Sequence, residues 1–361
     1  MKIGFLINDL GVGGAEKVFI DQANELSRLG HEVSFLVLNK KMVDPSFRRR
    51  LSDAVKYYDF SYLGFVDFFQ FIKVRSTLRS NKVEILYSTL DRANVVSRMQ
   101  KILLPSLRVF IRESGMADRK KTWVKVLDNL LNFLCQKIIA VSPGVAASLA
   151  KYQPFHVRKI VVIENGVIDT GECFRSDPQD VFDLLHVGSM NNENKNQRFL
   201  IRVLGVLKQV EPTKSVRLNL VGSGKLQGEL EQYAKSLGLE SAVKFWGNCD
   251  GPVLEKIYCQ CHLFVFASRS EGSPNVVLEA MVSGLPVIAV DIASVSPLIE
   301  EGRNGFVLPG WDEKKFADKV GYFLTNPQGL KIFGEAARQA ALRRHPLEQV
   351  VKKVENLFCN G

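Results

Sequence analysis

Two glutamates, Glu271 and Glu279, stand with seven residues between them in the string Ser270-Glu271-Gly272-Ser273-Pro274-Asn275-Val276-Val277-Leu278-Glu279-Ala280-Met281. Ser273 reads as a helix N-cap and Pro274 as the first helical residue, where its missing N–H costs nothing. A helix begun this way turns its first amides, those of Asn275 and Val276, and the positive end of its dipole towards the preceding loop. That end suits a phosphate. One carboxylate lies on the loop and one inside the helix. The pair therefore suits a ligand with hydroxyls at both ends of a diphosphate: a ribose for Glu279 and a sugar for Glu271.

A second candidate is Gly11-Val12-Gly13-Gly14-Ala15-Glu16, just after the first apolar run. Glycines admit close approach of a ligand to the backbone, and the following helix offers its amides. A nicotinamide fingerprint needs a third glycine where Glu16 stands. It also needs an acid after the second strand, where Asn39, Lys40 and Lys41 stand. A nicotinamide is therefore not the expected ligand, and a tight strand–helix turn without a ligand is the other reading.

These residues need elements to hold them. Short β-branched runs alternate with longer amphipathic ones, the pattern of an α/β protein with parallel sheets. Strands are expected over 2–7, 32–38, 83–87, 108–112, 137–141 and 157–163, then over 182–187, 216–221, 242–246, 262–266 and 286–290. Helices are expected over 15–29, 197–210, 225–237, 252–259 and 275–283, with an almost wholly helical tail over 314–358. An acidic stretch without periodicity, 169–180, reads as the connection between two halves. The division expected is a domain at 1–170 and another at 171–343, with the helix at about 344–361 packing back on the first. Two doubly wound sheets imply a ligand cleft at the carboxyl ends of their strands.

The 361 residues are 46% hydrophobic and 24% charged, enough to bury a core and too apolar for a disordered chain. No apolar run is long enough to span a bilayer. The first residues read as a strand rather than a signal peptide. Six scattered cysteines without a CxxC argue against a disulfide framework or zinc site, and Cys259 and Cys261 read as buried thiols of a reducing cytoplasm. The formal charge of +10 is uneven: residues 1–180 carry 27 Lys and Arg against 19 Asp and Glu, and residues 181–361 carry 21 against 19. The basic half lacks a nucleic-acid-binding motif, so nucleic acid is not an expected partner.

The Glu271–Glu279 string, continued by Gly284-Leu285-Pro286-Val287-Ile288-Ala289, resembles the retaining glycosyltransferases of family 4, the group 1 family. The resemblance extends along most of the chain. Gly13-Gly14-Ala15-Glu16 looks like the family's N-terminal glycine loop. Val141-Ser142 and Ile163-Glu164-Asn165-Gly166-Val167 look like two further landmarks. Val187-Gly188-Ser189-Met190 with Lys195-Asn196 looks like the strand and loop that bring a lysine to the donor diphosphate. Val221-Gly222-Ser223-Gly224 and Phe245-Trp246-Gly247 fall where the family has loops near the nucleotide. The resemblance implies the GT-B fold, two Rossmann-like domains facing across a cleft.

Three departures stand out. Ser189 replaces the family's usual arginine, leaving Lys195 alone on the diphosphate or with Arg198 or Arg269. The loop that commonly carries a histidine reads Ile111-Arg112-Glu113-Ser114, so Arg112 or Glu113 would stand in. The five histidines (His31, His156, His186, His262, His345) read as packed structural residues. Ser273 replaces the aromatic usual after Glu-Gly. No DxD pair occurs, and a lysine with helix-end amides does the work of a metal, so neither metal nor cofactor is expected.

The resemblance implies retaining, metal-independent transfer of a hexose or N-acetylhexosamine from a nucleotide sugar, UDP-linked. The acceptor would be a glycan or a polyprenyl-diphosphate-linked sugar in cell-surface polysaccharide or lipopolysaccharide synthesis. Lys195 and Glu271, with Arg112 or Glu113, would be catalytic. Glu279, Gly188, Ser189, Gly222, Gly247, Gly272, Ser273, Pro274, Asn275 and Val276 would bind the donor. Gly13, Gly14 and Glu16 would meet the acceptor or a phosphate. Basic and aromatic segments at 47–50, 62–72 and 119–123 would seat a cytoplasmic enzyme on an anionic inner membrane face. The other reading is a non-catalytic relative that keeps the fold as a scaffold or regulatory partner.

Overall fold

A computed structural model describes residues 1–11, 13–62, 67–171, 173, 181–249 and 251–361. Val12 of the glycine loop, residues 63–66 of the aromatic segment, and 172 and 174–180 of the expected connection lie outside the described residues. The chain divides into two units, Met1–Gly166 with Leu347–Gly361, and Val167–Pro346. The boundary thus falls a few residues before the expected 170.

The first unit is a seven-stranded parallel sheet with the order β3-β2-β1-β4-β5-β6-β7. Its strands are β1 (Lys2–Ile7), β2 (Glu32–Val37), β3 (Lys56–Asp59), β4 (Ile85–Thr89), β5 (Arg108–Glu113), β6 (Lys137–Ala140) and β7 (Ile160–Val162). The central strands are buried almost throughout because helices cover both faces. One face is covered by α1 (Gly14–Arg28) and by α13 (Leu347–Asn360), whose Phe358 ring meets Tyr87 and Phe110. The other is covered by α3 (Phe68–Ser80), α4 (Asp91–Leu103) and α6 (Pro143–Tyr152), and α5 (Thr122–Leu131) packs on α4. A short α2 (Pro45–Arg50) has Asp44 as its N-cap, accepting from Ser46 N at 2.8 Å. Phe47 is buried there and Arg48 lies 4.2 Å from the Tyr57 ring centroid, so part of the expected basic segment 47–50 is spent on packing.

The second unit is a six-stranded parallel sheet with the order β10-β9-β8-β11-β12-β13. Its strands are β8 (Phe182–Val187), β9 (Val216–Val221), β10 (Val243–Gly247), β11 (Leu263–Phe266), β12 (Val287–Val290) and β13 (Gly305–Leu308). Helices α7 (Gln197–Val210), α8 (Gln227–Ser236) and α11 (Glu313–Leu324) pack on one face. Helices α9 (Gly251–Gln260), α10 (Asn275–Val282) and α12 (Pro327–Arg344) pack on the other.

Edge strands β3 and β13, of four residues each, are not expected from sequence. The expected helical tail is three helices, because Asn326-Pro327 and His345-Pro346 each interrupt the ladder. Cys173 and Cys259 form a disulfide, contrary to the expectation of a thiol at Cys259. Their separation of 86 residues leaves no local signal for the pairing. Cys261 is a buried thiol. Among the described residues, no helix is long and apolar enough to cross a membrane.

Candidate active site

In the second unit, the loops after β8, β9 and β10 are stitched together. Gly188 N donates to Val221 O at 2.9 Å, Gly222 N to Gly247 O at 2.8 Å, and Met190 N to Ser223 O at 2.9 Å. The approach is close enough to exclude side chains. A Cβ on Gly222 would lie 2.3 Å from Gly188 O, and its φ of +121° is foreign to other residues. The three glycines placed near the nucleotide by sequence, Gly188, Gly222 and Gly247, thus form one cluster at the carboxyl ends of neighbouring strands.

Lys195 enters this cluster from the 3-10 turn Glu193–Lys195, which leads into α7 through Asn196 in the left-handed conformation, φ 55°. Its stem lies across Gly188, where a Cβ would come within 3.0 Å of Lys195 Cγ. Its Nζ donates to Glu271 Oε1 at 2.6 Å. The loop of Glu271 is fastened to the loop of Lys195 by its backbone. Arg269 N donates to Asn194 O at 2.8 Å, and Asn194 Nδ2 donates to Ser270 O at 2.8 Å. Ser189 lies beside Lys195's loop, and its Oγ accepts from Asn191 N at 3.3 Å. Arg198 points elsewhere, 4.4 Å from the Tyr233 ring centroid. Arg269 is exposed, with Glu193 at 3.9 Å. Of these three cations, Lys195 is the one whose stem lies on the cluster.

Gly272 and Ser273 carry the chain from Glu271 into α10. The helix starts one residue later than expected: Pro274 is the N-cap and Asn275 the first helical residue. The Ser273 carbonyl accepts from Asn275 N at 3.1 Å. The proline's φ of −83° and ψ of 78° place it outside the helix. Val276 keeps its expected place in the first turn. Glu279 lies one turn on and accepts from Tyr258 Oη at 3.1 Å. Tyr258 is buried at the end of α9; burial first, and the Glu279 carboxylate next, hold its phenol well above the usual range. It stays a donor.

Sequence reasoning missed Tyr258, because its partner is 21 residues away. His186 is packed, as the sequence suggested. His186 is fully buried with Nδ1 3.0 Å from Val265 O. A carbonyl only accepts, so Nδ1 carries the proton and Nε2 is a lone-pair acceptor. No protein partner meets Nε2, and it lies 3.2 Å from where a Cβ on Gly188 would be. Burial lowers the imidazole pKa to about 4, and nearby Lys195 adds to the effect, so the ring stays neutral. The other histidines hold structure: His31 bonds Glu355 at 2.7 Å, His156 bonds Asn129 O at 2.9 Å, and His262 accepts from Asp183 N at 3.0 Å.

In the first unit, Gly13 is the N-cap of α1 and Glu16 folds back over it. A Cβ on Gly13 would lie 2.2 Å from Glu16 Oε2. Gly14 is exposed at the first helical position. Burial raises the Glu16 pKa to about 7, with Asp9 adding to the rise and its own amide and Arg112 opposing it. Arg112 is thus close enough to act on Glu16. It is buried and donates to Asn165 Oδ1 at 2.6 Å.

Glu113 departs from the expectation that either residue could face a ligand. Successive strand residues point to opposite sides of a sheet. Glu113 therefore points away from Arg112, into a buried network where it accepts from Lys120 Nζ at 2.8 Å and Asn94 Nδ2 at 3.3 Å. The same network holds Asp128, paired with Arg98 at 2.7 Å and Lys120 at 2.9 Å. Removing one partner from such a network leaves an uncompensated buried charge. Glu113 is a structural residue of the first unit.

The two halves match two family models. Residues 12–170 match "Glycosyltransferase Family 4" and residues 181–326 match "Glycosyl transferases group 1". An uncharacterized glycosyltransferase of Haemophilus influenzae is 24% identical over 91% of each chain. A Campylobacter jejuni α-1,4-N-acetyl-D-galactosaminyltransferase, whose acceptor is an undecaprenol diphosphate-linked glycan, is 24% identical over 94% of this chain and 93% of its own. The structure of Anabaena HepE with UDP and glucose superposes with a TM-score of 0.84 at 22% identity, covering 100% of both chains. The fold is GT-B, and the chain belongs to the group 1, or family 4, glycosyltransferases.

Proposed function

We propose that this protein transfers a hexose or N-acetylhexosamine, with retention, from a UDP-sugar to a glycan or polyprenyl-diphosphate-linked acceptor in the synthesis of a cell-surface polysaccharide or glycoconjugate. The observation that carries this reading is the Lys195–Glu271 pair, 2.6 Å apart on the glycine cluster and beside the start of α10. A diphosphate beside Gly188 would draw on Lys195 and on the first amides of α10, which together stabilise the charge left on the leaving nucleotide. Glu271, released from Lys195, would orient the donor sugar. Glu279, aimed by Tyr258, would accept from the ribose.

Retention follows when the acceptor attacks on the face from which the nucleotide leaves. The bond from the anomeric carbon to the diphosphate oxygen breaks, the bond to the acceptor oxygen forms, and the diphosphate oxygen takes the acceptor's proton. No metal is needed where a lysine and helix amides neutralise the diphosphate. Gly13, Gly14, Glu16 and Arg112 would serve the acceptor. The Campylobacter relative's lipid-linked acceptor and the UDP in the HepE structure support the choice of substrate classes.

The test is a thermal-shift comparison of UDP, GDP and ADP, followed by hydrolysis of the matching nucleotide sugars with and without a chelator. Stabilisation by UDP, chelator-insensitive turnover and an α-linked product from an α-linked donor are the expected outcome. Binding without turnover of any nucleotide sugar, or no binding at all, would favour a non-catalytic scaffold. Ser189, in place of an arginine, is the residue that motivates that second reading.

A further inference from the structure

We infer that the outer face of α5 and the 3-10 turn Asn132–Leu134 that continues it is a docking surface for an anionic lipid bilayer. The inference rests on the reading of a lipid-linked acceptor. It names which surface of the first unit would meet the lipid.

Helix α5 is turned inside out. Its inward side carries Val124 and the carboxylate Asp128, both buried, followed by Asn132. Asp128 is kept inside by Arg98 and Lys120. Its outward side carries Trp123, Val126 and Leu130, which are 47%, 56% and 66% exposed, and Phe133 follows at 69%. Spacings of three, four and three residues put them on one stripe. Phe155, 84% exposed, belongs to the neighbouring 3-10 segment Pro154–Lys159, where the Phe133 ring packs edge-on to His156 with centroids 4.5 Å apart. A soluble surface rarely gathers so much apolar area without a partner.

Charge selects the partner. From residue 119 to residue 163 the chain carries one acid, Asp128, and it is buried. The exposed charges of this segment are cations, among them Arg119, Lys121, Lys151 and Arg158. A second copy of the chain docked by the same patch would set cations against cations, since a two-fold interface pairs a surface with itself. An anionic lipid surface offers the opposite charge and an apolar interior together. A tryptophan and basic residues beside an apolar stripe suit that boundary. This surface belongs to the first unit, and the proposed donor-binding loops belong to the second.

The experiment is co-sedimentation of the full chain, without donor or acceptor, with phosphatidylglycerol-containing vesicles and with pure phosphatidylcholine vesicles over a salt series. Sedimentation velocity without lipid is run in parallel. The expected result is binding to the anionic vesicles alone, weakening as salt rises. Val126→Glu with Leu130→Glu removes it, and Val210→Glu with Ile332→Glu, exposed apolar positions of the second unit, leaves it intact. Replacing Arg119, Lys121 and Arg158 by glutamine weakens binding by about fivefold per charge, about 100-fold together. Circular dichroism checks that each variant is folded. Equal binding to both vesicle types, no binding, or binding that survives Val126→Glu with Leu130→Glu overturns the inference. So does a lipid-free dimer that this double variant dissolves. Vesicle binding by a chain that transfers no sugar would fault the proposed function and leave the docking surface standing.

Discussion

Lys195 Nζ lies 2.6 Å from Glu271 Oε1, although 76 residues separate them in the chain. The cation suited to a donor diphosphate is thus held by the carboxylate suited to the donor sugar. Both side chains are only partly exposed, at 21% and 14%, so the pair is not a solvated surface contact. On the proposed reading, a diphosphate entering the glycine cluster would compete with Glu271 for the lysine and would release Glu271 beside the sugar.

That competition has opposite effects on binding and on chemistry. Glu271→Gln should tighten UDP binding by about fivefold, because it frees Lys195 and removes a like charge from the diphosphate. The same change should slow transfer. Lys195→Ala should lower turnover by about 100- to 1,000-fold with the fold intact. Calorimetric titration with UDP and initial rates of nucleotide release check both. Looser UDP binding by Glu271→Gln would mean that the carboxylate does not restrain the lysine.

Tyr258 Oη meets Glu279 Oε2 at 3.1 Å and the Val276 carbonyl at 3.4 Å. Tyr258→Phe removes one hydrogen bond and should raise the donor KM by about threefold to tenfold, in keeping with a bond worth about 1 kcal/mol. Glu279→Ala should raise it further, since it deletes the group meant for the ribose. In the double variant the tyrosine change should add little. Steady-state kinetics on the four proteins of this cycle provide the check.

Glu16 has a folded pKa of about 7, above the ordinary 4.5. The folded chain therefore holds this proton more tightly than the unfolded chain. The associated stability is complete below pH 4.5 and is lost as pH rises through 7. Glu16→Gln mimics the protonated form. It should flatten this part of the stability profile and stabilise the protein at pH about 8 by about 1–3 kcal/mol. Urea unfolding across that pH range checks the sign.

Gly222 has a φ of +121° and no room for a methyl group beside Gly188 O. Gly222→Ala should cost about 1–3 kcal/mol from backbone conformation alone, with the steric clash added. Because the loops after β8 and β9 would part, UDP binding should weaken as well. Gly228→Ala is the control, since nothing lies within 4 Å of its added Cβ. Urea midpoints and UDP titrations of the two variants provide the comparison.

The sequence by itself determined the two parallel-sheet halves, the glycine loops and the Glu271–Glu279 string. Those features are local: hydrophobic period, turn residues and spacing along one segment carry them. It also pointed to the loop after β8, where the Lys195 stem lies across Gly188. It did not show that α10 starts at Asn275, because capping by Ser273 or by Pro274 depends on where the preceding loop is anchored. It could not tell Arg112 from Glu113. That choice belongs to the sheet, whose pleat sends one side chain towards Glu16 and the other into the Lys120 network. Tertiary structure also decided the role of Tyr258, the backbone partner of His186 and the pairing of Cys173 with Cys259. In each case the meaning of a residue lies in a partner 21 to 86 positions away. The uneven charge of the chain was plain in its composition. Only the fold showed that the single acid of residues 119–163 is turned inward, leaving cations and an apolar stripe outside, because Arg98 and Lys120 compensate Asp128 where water cannot.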